Sequence, residues 1–372
     1  MTQQSKTINI ITGHLFGGIL TVYKTLVPFL NNYYKVNIVT FNKKFSIEDD
    51  FFYGNEKLCL NIDPPLTGIT AIMFIIKLYL ISKRKKLTHY IINNPSTSIL
   101  VYLLSLLINI DYIVHLHEPV SNSFKYKNKL IRKIYIDLLR RTFGKSLSII
   151  SVSKSVKNDF LNYFPNTHID LVYNPISIHI ILKDNAINPF LENYSISCKF
   201  VSVGRLSKAK DYVTLIHACR ILKMKEVEDF NIFIVGDGEE FISLQGLIDE
   251  HHLSKNIKLI GYKENPIPYI RYCDCYVSSS QWEGFGLTIA YAMLLKKPII
   301  SSNTGGAIEI LSKNNDFFDI GDFYELSYKM ARYIKSRDQK IEVIEENYLQ
   351  AMKFDAEMVS NHFIAILNQK IT

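Results

Sequence analysis

Residues 278–306 read SSSQWEGFGLTIAYAMLLKKPIISSNTGG, and the order of residue types in this stretch decides the fold. The apolar run Cys275–Ser278 predicts a strand that ends in small polar residues. Glu283-Gly284-Phe285-Gly286 then makes a tight turn, and a helix follows with apolar positions at Leu287, Ala290, Met293 and Leu294. Pro298 ends that helix and opens a second strand, 298–302, which runs into Gly305-Gly306. Gly284 and Gly286 let backbone N–H groups come close to a ligand, and the helix start adds the positive end of its dipole. Such a turn suits an anion, above all a phosphate. Glu283 would oppose that phosphate unless its carboxylate grips hydroxyl groups, so the pair points to a sugar phosphate. By itself the pattern is equally compatible with a plain structural turn.

The run Glu283-Gly284-Phe285-Gly286-Leu287, followed by Ala292-Met293, resembles the donor-binding motif of the retaining glycosyltransferases of family 4. The resemblance implies the GT-B fold: two doubly wound, Rossmann-like α/β domains facing a central cleft. One position departs from the family pattern. The family carries a second glutamate eight residues after the first, where it accepts hydrogen bonds from both ribose hydroxyls; here that position is Tyr291. A tyrosine offers one hydroxyl, so a weaker or differently posed nucleotide contact is expected.

The rest of the chain alternates in the same way. A strand over Thr7–Thr12 leads through Gly13-His14-Leu15-Phe16-Gly17-Gly18 into a helix over 19–30 and a strand over Lys35–Thr40. This βαβ opening lacks G-x-G-x-x-G, so no dinucleotide site is predicted, but Gly17 and Gly18 let backbone approach a substrate. Strands at His89–Ile92, 112–117, 147–152 and 170–172 argue for a parallel, doubly wound sheet. His115 and His117 close the second of these at its carboxyl end, on one face; as structural histidines or as site residues they fit equally well. No third ligand is placed near them, so a metal site is not expected. His117 matches the active-site histidine of family 4, and Ser151-Val152-Ser153 and Asn174-Pro175 resemble further family landmarks.

Residues 181–197 read as a linker between a first domain, 1–180, and a second, 198–352. The second opens on a strand, 199–203, followed by Gly204-Arg205-Leu206-Ser207-Lys208-Ala209-Lys210 and a helix from near Asp211. A glycine turn with two cations can hold a diphosphate, Arg205 bidentately and Lys210 as a point charge. The pattern resembles the family's diphosphate-binding loop. Strands follow at 231–235 and 257–260; Asp237 is expected to cap the helix after the first, and by resemblance the turn at Gly261-Tyr262 borders the nucleobase. The tail predicts two amphipathic helices, and in the family's fold the last, about 353–372, crosses back to the first domain.

The 372 residues, 48% hydrophobic and 21% charged, are enough for two domains with large cores. The first apolar run is too short for a signal peptide. The apolar runs 69–81 and 99–110 fall short of the roughly twenty residues that span a bilayer, so they read as buried helices. Five cysteines without a C-x-x-C pair predict neither zinc nor disulfides and suit a reducing cytoplasm. Residues 1–180 carry 21 Lys and Arg against 10 Asp and Glu, a net of +11 in a chain of +8. The cations gather in Lys83-Arg84-Lys85-Lys86 and in 125–145, which suits a solvated face or an anionic membrane surface. Nucleic acid is disfavoured, because few aromatics are interleaved with them.

No Asp-x-Asp pair occurs, so the diphosphate charge would be met without a metal, by Arg205, Lys210 and the amides after Glu283. The resemblance implies a retaining transfer in which Glu283 holds sugar hydroxyls and His117 lines the donor sugar. The expected donor is a nucleotide sugar, a UDP-sugar first. The expected acceptor is a saccharide on a polyprenyl diphosphate, in lipopolysaccharide, O-antigen or capsule assembly, with the enzyme peripheral on the inner face of the cell membrane. A nucleotide-sugar epimerase of the same fold, or a degenerate partner that only binds, remains open.

Overall fold

The computed structural model describes residues 6–12, 17–41, 55–63, 66–190, 197–337 and 340–371. These form two compact units, 1–176 with 356–372 and 177–355. The residues 13–16 of the first glycine loop lie outside the described set.

Unit one runs β1 (Thr7–Thr12), α1 (Gly18–Leu30), β2 (Lys35–Thr40), β3 (Glu56–Cys59), α2 (Ile69–Lys85) and β4 (His89–Ile92). It continues with α3 (Pro95–Ser105), β5 (Asp111–Leu116), α4 (Lys129–Lys145), β6 (Ser148–Ser151), α5 (Lys154–Tyr163) and β7 (Asp170–Leu171). Among the described residues its strands form one parallel sheet in the order β3-β2-β1-β4-β5-β6-β7. β1 and β4 are almost wholly buried, Asn9 and Thr12 included, because helices cover both faces of such a sheet. Asn94, Asn128 and Ser153 cap α3, α4 and α5 by accepting from the backbone N–H three residues on.

Unit two runs α6 (Ile178–Lys183), β8 (Cys198–Val203), α7 (Tyr212–Met224), β9 (Phe230–Val235), α8 (Phe241–Glu250), β10 (Ile257–Gly261) and α9 (Ile267–Tyr272). It continues through β11 (Cys275–Ser278), α10 (Leu287–Leu294), β12 (Ile299–Ser302), α11 (Gly305–Ile310), β13 (Asp316–Phe318), α12 (Phe323–Ser336) and α13 (Ile341–Met352). Its sheet is also parallel, in the order β10-β9-β8-β11-β12-β13. The last helix, α14 (Ala356–Lys370), belongs to unit one: it packs on α1, and Tyr34 bonds Asn368.

Three expectations are corrected. The start of the stretch read as a linker, 181–197, belongs to α6, and Arg271 anchors that helix by donating to the Ile181 carbonyl at 2.6 Å; unit two begins at Ser177. Asp237 does not cap α8; its Oδ1 accepts from the adjacent Gly238 N–H at 2.8 Å, and Glu240 stands at the cap. The run 69–81 is not a buried helix. Of α2 only Phe74, Leu78 and Ser82 are buried, because the helix lies over the sheet with one narrow face. The run 99–110 is closer to expectation, with Ile99, Val101 and Leu104 buried.

Candidate active site

In unit two the chain winds outward from β8 to β9 and β10 on one side, and from β11 to β12 and β13 on the other. The direction therefore reverses between β8 and β11, and the loops leaving their carboxyl ends flank a crevice there. Those loops hold Gly204 to Lys210 and Ser279 to Gly286. They are tied together: the Gln281 N–H donates to Ala209 O at 2.9 Å, and Ser279 Oγ to Lys210 O at 3.0 Å. Thr288, in the first turn of α10, donates to Val203 O at 3.2 Å and fixes that helix start against β8.

Lys210 and Glu283 meet as an ion pair in this crevice, and Ser280 Oγ donates to the same Glu283 oxygen at 2.7 Å. Their side chains are only 23% and 10% exposed, so water solvates neither charge well and each needs a partner of opposite sign. Gly204 makes room for this: a Cβ there would stand 2.9 Å from Lys210 Cε. Arg205, on the more exposed side, donates from Nε to Glu239 at 3.0 Å. Gly286 takes φ 94° at the cap of α10, a left-handed conformation that favours glycine. Gly306 packs on the turn, since a Cβ would lie 2.7 Å from Glu283 O and 3.1 Å from Gly284 C.

The remaining sequence-predicted residues of this unit divide. Leu287 opens α10. Phe285 points into the core, 2% exposed and edge-on to Phe354 at 4.9 Å, so its side chain anchors the turn and only its backbone is left for a ligand. Tyr291 lies half-buried on α10, and burial pushes its phenol pKa up. Tyr262 follows β10, two strands from β8, and is largely exposed.

Unit one has its own reversal, between β1 and β4. Asn93, immediately after β4, bridges it by donating from Nδ2 to Ile11 O at 2.8 Å. That bond settles which end of the amide is oxygen, and Oδ1 accepts from Tyr23 OH at 2.6 Å. Since an amide oxygen only accepts, His117 Nε2, 3.1 Å away, carries a proton directed at it. Tyr23 has spent its one proton on Asn93, so His115 Nδ1, 3.0 Å from the same hydroxyl, is the donor there. Burial holds the His117 pKa down to about 3, and burial together with the neighbouring His117 ring, 4.1 Å away, holds His115 well below 6.5. Both imidazoles are neutral near pH 7. Gly17 caps α1 at φ 87° with open space around it, and Gly18 begins the helix.

Asn93, Tyr23, Ser280 and Glu239 escaped the sequence reading. A polar Asn93-Asn94 pair at a strand end was the available signal for the first; nothing local marks the others. Among the described residues no group of three or more His, Cys, Asp or Glu side chains gathers that could hold a metal ion.

Two parallel Rossmann-like sheets, the second with a glycine-turn crevice holding a carboxylate and two cations, define the class: a glycosyltransferase fold of the GT-B type. The family model "Glycosyltransferase Family 4" matches residues 16–179 and "Glycosyl transferases group 1" matches 189–350. The chain belongs to these glycosyltransferases. An uncharacterized glycosyltransferase of Methanocaldococcus jannaschii is 28% identical over 70% of the chain and 59% of that relative's own length. The N-acetylgalactosamine-N,N'-diacetylbacillosaminyl-diphospho-undecaprenol 4-alpha-N-acetylgalactosaminyltransferase of Campylobacter jejuni is 26% identical over 79% of the chain and 80% of that enzyme. Among solved structures, Anabaena HepE in complex with UDP and glucose superimposes with a TM-score of 0.79 over 98% of this chain and 99% of that one, at 17% identity.

Proposed function

We propose that this chain transfers a hexose-type sugar from a UDP-sugar to a saccharide acceptor carried on a polyprenyl diphosphate, with retention at the anomeric carbon and without a metal ion. The observation that carries the reading is the Lys210–Glu283 pair at the strand reversal of unit two, beside Arg205 and the start of α10. A bound nucleotide sugar offers each charge a better partner: diphosphate oxygens for Lys210 and Arg205, sugar hydroxyls for Glu283. The cations and the amides of the turn then stabilise the leaving diphosphate. With retention, a leaving phosphate oxygen stands on the acceptor's side of the sugar and takes the acceptor hydroxyl's proton. His117, neutral and protonated on Nε2, is a hydrogen-bonding group for a sugar hydroxyl rather than a proton donor.

The relatives support the substrate classes: HepE was solved with UDP and glucose, and the Campylobacter enzyme is named for an undecaprenyl-diphosphate-linked saccharide. A lipid-linked acceptor fits surface-polysaccharide assembly at an anionic membrane face, met by Lys83-Arg84-Lys85-Lys86 and the cations of 125–145. No helix among the described residues is long and apolar enough to cross a membrane.

Donor hydrolysis across UDP- and GDP-sugars, with EDTA present, tests the reading without knowledge of the acceptor. A UDP-sugar should be hydrolysed slowly, EDTA should not abolish this, and NMR should show the released sugar first in the donor's anomeric configuration. No hydrolysis of any donor alongside tight UDP binding would favour a binding partner, and interconversion of UDP-sugars an epimerase.

A further inference from the structure

Along α2 the residues Ile69, Ile72, Met73, Ile76, Tyr79 and Leu80 face outward, with Ile69 at 76%, Ile72 and Leu80 at 58% and Ile76 at 51% exposure. At 3.6 residues per turn they occupy an arc of about 120°, three turns long. No charge interrupts it until Lys83, whose ammonium stands over the Tyr79 ring at 6.0 Å. Isolated exposed apolar residues are ordinary, but a whole helix face made of them is not. It costs solubility and adds nothing to the core, which α2 meets through Phe74 and Leu78.

The helix then ends in Lys83, Arg84, Lys85 and Lys86, all exposed, of which Lys85 pairs with Glu56. α3, which packs on α2, is followed at once by Leu106 and Leu107, 58% and 70% exposed. An apolar ridge bordered by cations complements an anionic lipid surface: acyl chains take the ridge and headgroup phosphates take the cations. We infer that α2 is an interfacial helix, whose outward face inserts into the acyl boundary of an anionic bilayer. This deepens the membrane part of the function proposed above and is independent of the transfer chemistry in unit two. Adsorption by the basic runs alone would be wholly electrostatic; insertion of α2 adds a component that salt does not screen.

The test uses the full chain with vesicles of phosphatidylglycerol and phosphatidylcholine, and of phosphatidylcholine alone. Wild type should sediment with anionic vesicles at low salt and retain part of that binding in about 1 M salt, where the Debye length is about 3 Å. Ile72→Asp/Ile76→Asp should lower the partition coefficient at least tenfold at both salts, since burying each isoleucine is worth that much. UDP affinity measured on the same variant should not change. As a second readout, Leu80→Trp in a Trp282→Phe background should be quenched by lipids brominated on their acyl chains. Equal partitioning of wild type and the double variant, or an unquenched Trp, overturns the inference. So does a wild-type dimer that ignores vesicles and that the double variant splits, which would make the ridge an interface between copies. Vesicle binding with no UDP-sugar binding would instead defeat the transferase reading and leave the insertion standing.

Discussion

The Nε2 of His117 lies 3.1 Å from the Oδ1 of Asn93, an atom that only accepts and that also takes the Tyr23 hydroxyl proton. Asn93 thereby sets the tautomer of His117 and leaves its Nδ1 as an acceptor. Asn93→Ala should lower kcat about ten- to a hundredfold, the worth of one lost bond to a buried group, with little change in Tyr23 or His117 burial. Asn93→Asp places a carboxylate beside the ring and should raise the His117 pKa, visible as a new inflection in the NMR titration of that imidazole. An unmoved titration in the Asp variant would sink the assignment.

Arg205 and Lys210 separate by stability as well as by rate. Each →Ala variant should cost about 10²–10³ in turnover, roughly 3–4 kcal/mol of transition-state stabilisation. Lys210→Ala also strands Glu283, so it should lose about 1–3 kcal/mol of folding stability, part of which Lys210→Ala/Glu283→Ala recovers. Arg205→Ala breaks a solvent-exposed pair with Glu239 and should change stability by under about 1 kcal/mol. Turnover with UDP-sugar and thermal melts of the three variants check this together.

Gly306→Ala should displace the Glu283-Gly284 backbone, against which its Cβ would press. UDP affinity should fall at least tenfold, about 1.4 kcal/mol, by calorimetry. Gly246→Ala, on the exposed side of α8 with no atom within 4 Å of the added carbon, serves as the control and should be neutral or slightly stabilising.

Acid should unfold unit one through buried His115 and part-buried His117. An unfolded chain binds protons at His115 and His117 near pH 6.5, whereas burial holds His117 to about 3 and His115 well below the ordinary value in the fold. Their contribution is complete above about pH 6.5 and is lost as pH falls from there toward 3, at up to about 1.4 kcal/mol per pH unit for each group. Replacing His117 by Asn should flatten the melting temperature against pH within that window. A wild-type slope in the variant would assign the acid sensitivity elsewhere.

Local chemistry determined much of this protein. The apolar runs and glycine turns mark most strands of both sheets, and Gly286, with its positive φ, stands where the sequence demanded a tight turn. Gly204, Lys210 and Glu283 were nameable because the turns that hold them resemble the family's diphosphate- and donor-binding motifs; the turn pattern alone fits a structural turn equally well. The short strands β3 and β13 were not legible, since each sets only two apolar residues beside charged ones, Glu56 and Lys57 in β3 and Asp316 in β13. What only the tertiary structure decided is which loops meet. Lys210 finds Glu283 across 73 positions because β8 lies beside β11, and Asn93 finds His117 because the loop after β4 lies beside that after β5. Phe285 turned inward, and the apolar face of α2 turned outward, for a related reason. Periodicity says that a helix has an apolar face, but the sheet decides how much of it is covered, and α2 has more apolar surface than its place on the sheet can bury.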